Sequence, residues 1–280
     1  MDIYIDIETL RSPEAHRLQI LEDTKANFKA PSGLTKGAMA KDLGLNDKDA
    51  KFISAGDMKT RWESEMAETK SVEVAQANWE KTSFNPDVAP IACICITWIN
   101  ENGIKATYSF DLIEQVSEGA LLDNFHRAIT NICTANGAMI HKPNFIGHYI
   151  TKFDLPFIWK RSVINNVETV KGVKWIDAKH GLHCFDTMTA WAGYGNSISA
   201  DNLSSILGLE GKTDGMDGSM VYDTWQENPQ KVIDYCLDDI NNDENSMNNN
   251  INDKSINYNP KCNYCKKNII NTFYMYNDNI

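Results

Sequence analysis

The chain opens on a strict alternation. In Ile3-Tyr4-Ile5-Asp6-Ile7-Glu8 isoleucine takes every second position, and the residues between are polar or aromatic. A period of two predicts a β-strand over residues 1–10, with Asp6 and Glu8 projecting from one face and the isoleucines from the other. Residues 90–99 are almost continuously apolar, as expected of a central strand covered on both faces. Asn100-Glu101-Asn102-Gly103 has hairpin-turn chemistry, and Ile104 to Phe110 reads as the returning strand. Ala120 to Asn136 reads as an amphipathic helix closed by Gly137. Asn144 to His148 predicts a further strand, Leu155 to Ile164 a helix, and Ser199 to Leu207 a helix stopped at Gly208. Lys231 to Ile240 reads as a last helix.

Two stretches depart from this rhythm. Residues 11–83 are polar and mostly helical, with segments at Ala15 to Lys29, Thr35 to Leu43, a piece capped around Asn46, and a long helix from Gly56 to Trp79. They predict a helical insert after the first strand: a surface excursion, or else a flap that grips substrate or a surface for a partner. Residues 241–280 are dominated by asparagine and keep neither helical nor strand period, so disorder is expected there. The organisation expected is one α/β domain over 1–240, with a mixed sheet flanked by helices, followed by a low-complexity tail.

Composition narrows the setting. No apolar run has the length of a bilayer span, and no basic region followed by an apolar core opens the chain. With seven cysteines, an odd number set mostly in apolar context, a reducing cytoplasmic or other intracellular location is expected. A net charge of -11 argues against broad electrostatic binding to nucleic acid. It leaves room for an enzyme that grips a short stretch through bound cations.

The carboxylates carry the chemistry. Asp6 and Glu8 share a strand face. Asp154 follows Phe153 at the start of an apolar helix. In the last helix Tyr235 and Asp239 are four apart and share a face. Carboxylates forced together repel, so such a set persists cheaply only around a cation or a proton. Each cluster alone is ordinary: a solvated acid pair, a helix N-cap at Asp154, a half-buried core aromatic at Tyr235. Their conjunction in this order points to a two-metal nuclease. Asp238 is the rival of Asp239 if the helix register is off by one, and Asp186 reads as a structural or outer-shell acid. Lys152, Lys160, Arg161 and Lys212 are candidate phosphate contacts, against the blander reading of solvated charge. Phe153, Phe157 and Trp159 are candidates to stack a base, against the stronger reading of core packing. Cys262-Asn263-Tyr264-Cys265 is a single pair and falls short of a structural zinc site.

These phrases resemble a known family. Tyr4-Ile5-Asp6-Ile7-Glu8-Thr9, Gly147-His148-Tyr149-Ile150-Thr151-Lys152-Phe153-Asp154-Leu155-Pro156 and Asp234-Tyr235-Cys236-Leu237-Asp238-Asp239 are similar to the three motifs of DEDDy-type 3′–5′ exonucleases. More narrowly, the chain resembles predicted exonucleases related to the proofreading domain of family B DNA polymerases. The resemblance implies a ribonuclease H-like fold over residues 1–240, loose across the insert.

It also implies a function. Asp6, Glu8, Asp154 and Asp239 would hold two Mg²⁺ or Mn²⁺ ions, an all-oxygen set suited to hard cations. Tyr235 would orient the attacking water, and Thr9, Leu10, Tyr149, Phe153 and Lys212 would contact substrate. Nucleoside 5′-monophosphates would leave a single-stranded DNA end; the alternatives are action on RNA, or a catalytically impaired nucleic-acid-binding module of the same fold. The implied partners are unpaired 3′ ends and replication or recombination proteins, with no membrane. One position departs from the family pattern, which places asparagine where this chain has Tyr149.

Overall fold

The computed structural model describes residues 1–99, 104–135, 138–139, 141–208 and 215–252. By its internal contacts the chain divides into two units, one of Met1–Leu10 with Pro90–Ile280 and the other of Arg11–Ala89.

The first unit is built on a five-stranded sheet in the order β3-β2-β1-β6-β7. Its strands are β1 (Asp2–Thr9), β2 (Ile91–Ile99), β3 (Lys105–Asp111), β6 (Asn144–Gly147) and β7 (Cys184–Asp186). β1 to β3 pair antiparallel, while β1, β6 and β7 run parallel. A separate two-stranded ribbon joins β4 (Thr134–Ala135) to β5 (Ala138–Met139). This is the mixed α/β sheet that the resemblance implies.

The alternation in β1 decides which side of the sheet holds what. Ile3, Ile5 and Ile7 are buried on one face, opposite Trp98, Ile96 and Ile94 of β2. That face packs on α6 (Glu118–Ile132), whose Phe125 meets Phe110 of β3 edge-on at 5.7 Å. The other face presents Asp6 beside Cys95 and Glu8 beside Cys93. α10 (Val221–Glu227) and α11 (Pro229–Asn252) cover it, with Val221, Val232, Ile233, Cys236 and Ile240 packed around Cys93 and Cys95. α7 (Asp154–Ile164) leaves β6 through a loop, and α8 (Thr187–Ala192) follows β7. α9 (Ala200–Leu207) ends at Gly208 with a left-handed φ of 68°.

The second unit carries α1 (Glu14–Ala26), α2 (Lys36–Asp42), α3 (Asp47–Lys51), α4 (Ala55–Glu65), α5 (Ala67–Glu80) and a short 3-10 turn. The single helix expected over 56–79 is broken at Met66. Its halves pack on different neighbours, α4 on α2 and α5 on α1. Met58 and Trp62 join Met39 and Ala40 in one small core, while Ser71, Ala75 and Trp79 are the buried positions of α5. No shared stripe holds the halves in one line. The cap expected at Asn46 is present: its side chain accepts from the N–H groups of Lys48 and Asp49.

Other boundaries also moved. α6 stops at Ile132 because Thr134 and Ala135 are taken up by the β4–β5 ribbon. The backbone of α11 stays helical to Asn252, past Ile240, where the sequence pattern ends. Backbone hydrogen bonds within a helix do not require an apolar stripe, so loss of period did not mark its end. The hairpin turn at 100–103, Gly137, Lys212 and the Cys262–Cys265 pair lie outside the described residues, as does 253–280. No helix among the described residues is long and apolar enough to cross a membrane.

Candidate metal centre

β1 and α11 together build an acidic cluster. Oxygens of Asp6, Glu8 and Asp239 lie within 4.8 Å of one another. The first two come from alternate positions of one strand and the third from the helix laid across it. Asp239 is half-buried, whereas Asp238 points out to solvent, so the helix register favours Asp239 over its neighbour. Tyr235, one turn earlier on α11, packs against the core around Cys93 and Cys95.

Asp154 reaches the cluster from a different direction. It is the first residue of α7 and is 3% exposed. The cap position belongs to Phe153, which makes no side-chain cap bond, so Asp154 is not the N-cap that its sequence context suggested. Its carboxylate accepts instead from its own N–H and from the N–H of Ile7, between Asp6 and Glu8 on β1. That bond ties the start of α7 to the strand of the acid pair. Asp154 is not part of the group within 4.8 Å, yet its charge is felt there.

The electrostatics are those of acids crowded together away from water. Burial, then Asp154, then Asp239 push the Asp6 carboxyl well above the usual carboxylate range. Burial raises Asp154 to about 7, with the two N–H donors opposing and Asp186 adding to the rise. Oδ2 of Asp6 is buried with no hydrogen-bond partner. A buried carboxylate oxygen without a donor is expensive, and a cation among these acids is the group that would satisfy it. The donor set, all oxygen, fits a hard divalent ion.

The loop that delivers Asp154 is held by another acid. Asp186, fully buried at the end of β7, accepts at Oδ1 from the N–H of Tyr149 (3.3 Å) and of Thr189 (3.0 Å). At Oδ2 it accepts from the Thr151 N–H (3.0 Å) and hydroxyl (2.6 Å). It therefore acts structurally, as its sequence context suggested. His148 spans the same region, with Nε2 2.9 Å from the Ile198 carbonyl and Nδ1 3.0 Å from the Thr187 hydroxyl. Gly147 lets the loop start where it does: a Cβ there would stand 2.6 Å from the Ile5 carbonyl oxygen and from Cγ2 of Ile150.

The remaining candidates divide. Tyr149 is exposed on that loop and holds a left-handed φ of 63°. Phe153 is half-buried against Phe157, which lies in the core. Thr9 and Leu10 are both buried. Arg161 is committed elsewhere, since its guanidinium donates from Nε and Nη2 to the two oxygens of Glu118 and both groups are shielded from water. It is therefore no phosphate ligand. The sequence reading did not anticipate that pair: Glu118 also accepts from the N–H of Ile91 and so fixes the start of β2. It missed the convergence of Cys93, Cys95 and Cys236 as well, whose only trace in the sequence is the Cys-x-Cys spacing in β2.

A family model described as "Predicted 3'-5' exonuclease related to the exonuclease domain of PolB" matches residues 84–243, more than half of the chain. The match spans β2 to α11 and takes in Asp154, Tyr235 and Asp239, while Asp6 and Glu8 precede it. No curated protein matches the chain, and no solved structure does.

Proposed function

The chain belongs to the family of predicted 3′–5′ exonucleases related to the exonuclease domain of PolB, and from that premise we propose that it shortens single-stranded DNA from the 3′ end. Products are nucleoside 5′-monophosphates. The observation that carries the reading is the convergence of Asp6, Glu8 and Asp239 around a buried Asp6 oxygen that has no partner. Asp154, tied to the Ile7 N–H, completes the ligand set.

Asp6, Glu8, Asp154 and Asp239 would hold two Mg²⁺ or Mn²⁺ ions. When bound, these ions acidify a water and offset charge on the phosphate undergoing cleavage. The protein's own contribution is placement. Asp6 and Glu8 are fixed by strand pairing, Asp239 by the packing of α11, and Asp154 by the loop bonded to Asp186. Tyr235 orients the attacking water through its hydroxyl, since a protonated phenol has little capacity to take that water's proton. Tyr149 and Phe153 line the approach to Asp154 and contact the terminal nucleotides. An unpaired strand suits a site that must reach the terminal phosphodiester.

The test is mononucleotide release from 5′-labelled single-stranded DNA and RNA with Mg²⁺ or Mn²⁺, against EDTA and Asp6→Asn. A metal-dependent ladder that shortens from the 3′ end, absent in the variant, is expected. A folded protein that leaves both strands intact overturns the reading. One observation favours a second reading, a binding module without turnover: Tyr149 occupies a left-handed conformation that asparagine adopts more readily, on the loop that positions Asp154. Retention of the labelled strand without shortening is its outcome.

A further inference from the structure

Behind the acidic cluster lies a second convergence, of a different chemical kind. Sulfurs of Cys93, Cys95 and Cys236 lie within 4.8 Å of one another, and all three residues are 0% exposed. Cys93 and Cys95 project from the same face of β2, two apart, and Cys236 comes down on them from α11. We propose that these three thiols supply three of the ligands of a single thiophilic cation of the zinc class, a site adjoining the oxygen cluster through the Cys236–Asp6 contact but different from it in donor chemistry.

The geometry suits such an ion. A cation about 2.3 Å from each of three sulfurs needs them roughly 4 Å apart, so separations within 4.8 Å call for small side-chain rotations only. The Glu8 N–H is directed at the sulfur of Cys93, the kind of backbone donor that supports a metal-bound thiolate. Ordinary core cysteines act as small apolar groups and need not meet. Here three that come from two elements meet at one point.

The two sites select different ions because their donors differ. Sulfur favours soft and borderline cations, and carboxylate oxygen favours magnesium and manganese. Both draw on α11: Cys236 and Asp239 sit three residues apart on it. A cation on the thiols would pin that helix to β2 beside the acidic cluster. On binding, the cation replaces thiol protons, which pass to solvent. Because the site is sealed, loading accompanies folding or an opening of α11.

The proposal does not rest on the exonuclease reading, and its test does not use nuclease activity. The full chain, with Cys262→Ser and Cys265→Ser to silence the other Cys-x-x-Cys pair, is unfolded, reduced, and refolded with one equivalent of Cd²⁺. The expected result is a thiolate-to-cadmium charge-transfer band that saturates at one ion per chain and survives excess Mg²⁺. Zn²⁺ loading raises the melting temperature of the same protein. Cys236→Ala removes the band, and Cys93→Ala reports independently if that variant folds poorly. Binding at the acidic cluster alone gives no such band. A refolded protein with native circular dichroism and no charge-transfer absorption overturns the proposal, as does a band that persists in both alanine variants.

Discussion

Asp186 and Asp6 are acids in the same sheet unit, and their surroundings are opposite. Asp186 is sealed from solvent and accepts from three backbone N–H groups and a hydroxyl, so both its oxygens are used. Asp6 has a buried oxygen with no donor, and Asp154 and Asp239 crowd it. A satisfied buried acid holds structure together. An unsatisfied one among like charges destabilises the fold unless a cation arrives, which is the mark of a site kept for function.

That contrast can be broken in four ways, from the largest effect to the smallest. Asp6→Asn should lower kcat/KM on single-stranded DNA by roughly a thousandfold, about 4 kcal/mol in transition-state stabilisation. The metal-free variant should melt no lower than the parent, because a repelling charge is gone. A substantial fall in its melting temperature would show that Asp6 is structural after all. Asp186→Asn should do the reverse. Its amide must turn an NH₂ toward N–H donors, costing on the order of 3 kcal/mol in denaturant unfolding, and no divalent ion should restore it. A variant of unchanged stability would remove the distinction.

Mn²⁺ should repair the site of Asp6 and leave that of Asp186 unaffected. Mn²⁺ at a hundredfold excess over its dissociation constant should stabilise the parent by about 2.7 kcal/mol, read as a higher melting temperature. Asp6→Asn should lose most of that gain and Asp186→Asn should keep it. A gain equal in all three proteins would place the ion elsewhere.

The smallest effect sharpens the comparison with a buried group of another kind. His126 is packed among Phe125 and Trp175 and lies 2.9 Å from the Ser162 hydroxyl. Burial holds its pKa down at about 4, against an ordinary 6.5, with Asp123 partly opposing. The unfolded chain therefore takes up a proton below 6.5 that the folded chain refuses until about 4. Stability should be full above that window and decline through it as pH falls, by at most about 1.4 kcal/mol per pH unit. His126→Gln should flatten this part of the profile in denaturant titrations at pH 7 and pH 5. An unchanged slope would show that His126 does not report the core.

Much of this was legible along the chain. β1, β2, β3, β6, α7 and α9 fall where periodicity and turn chemistry put them, because each has its own apolar pattern and local stop. The long helix expected over 56–79 failed because its two halves answer to different neighbours, which no local pattern records. Arg161 reads as a free cation beside a motif, yet Glu118, far away in sequence, had claimed it.

The site shows the same division. The sequence by itself determined that Asp6 and Glu8 share a strand face, that Tyr235 and Asp239 share a helix face, and that Asp154 opens a helix, since spacing within one element fixes direction. Only the tertiary structure decided that these faces meet. β1 lies between β2 and β6, so an acid pair outside the matched family region is inserted into the middle of it. The same packing of α11 that brings Asp239 to Asp6 brings Cys236 to Cys93 and Cys95. The physical reason is that side-chain direction follows from a residue's nearest neighbours in the chain, whereas charge crowding, desolvation and metal geometry depend on elements brought together from remote parts of it.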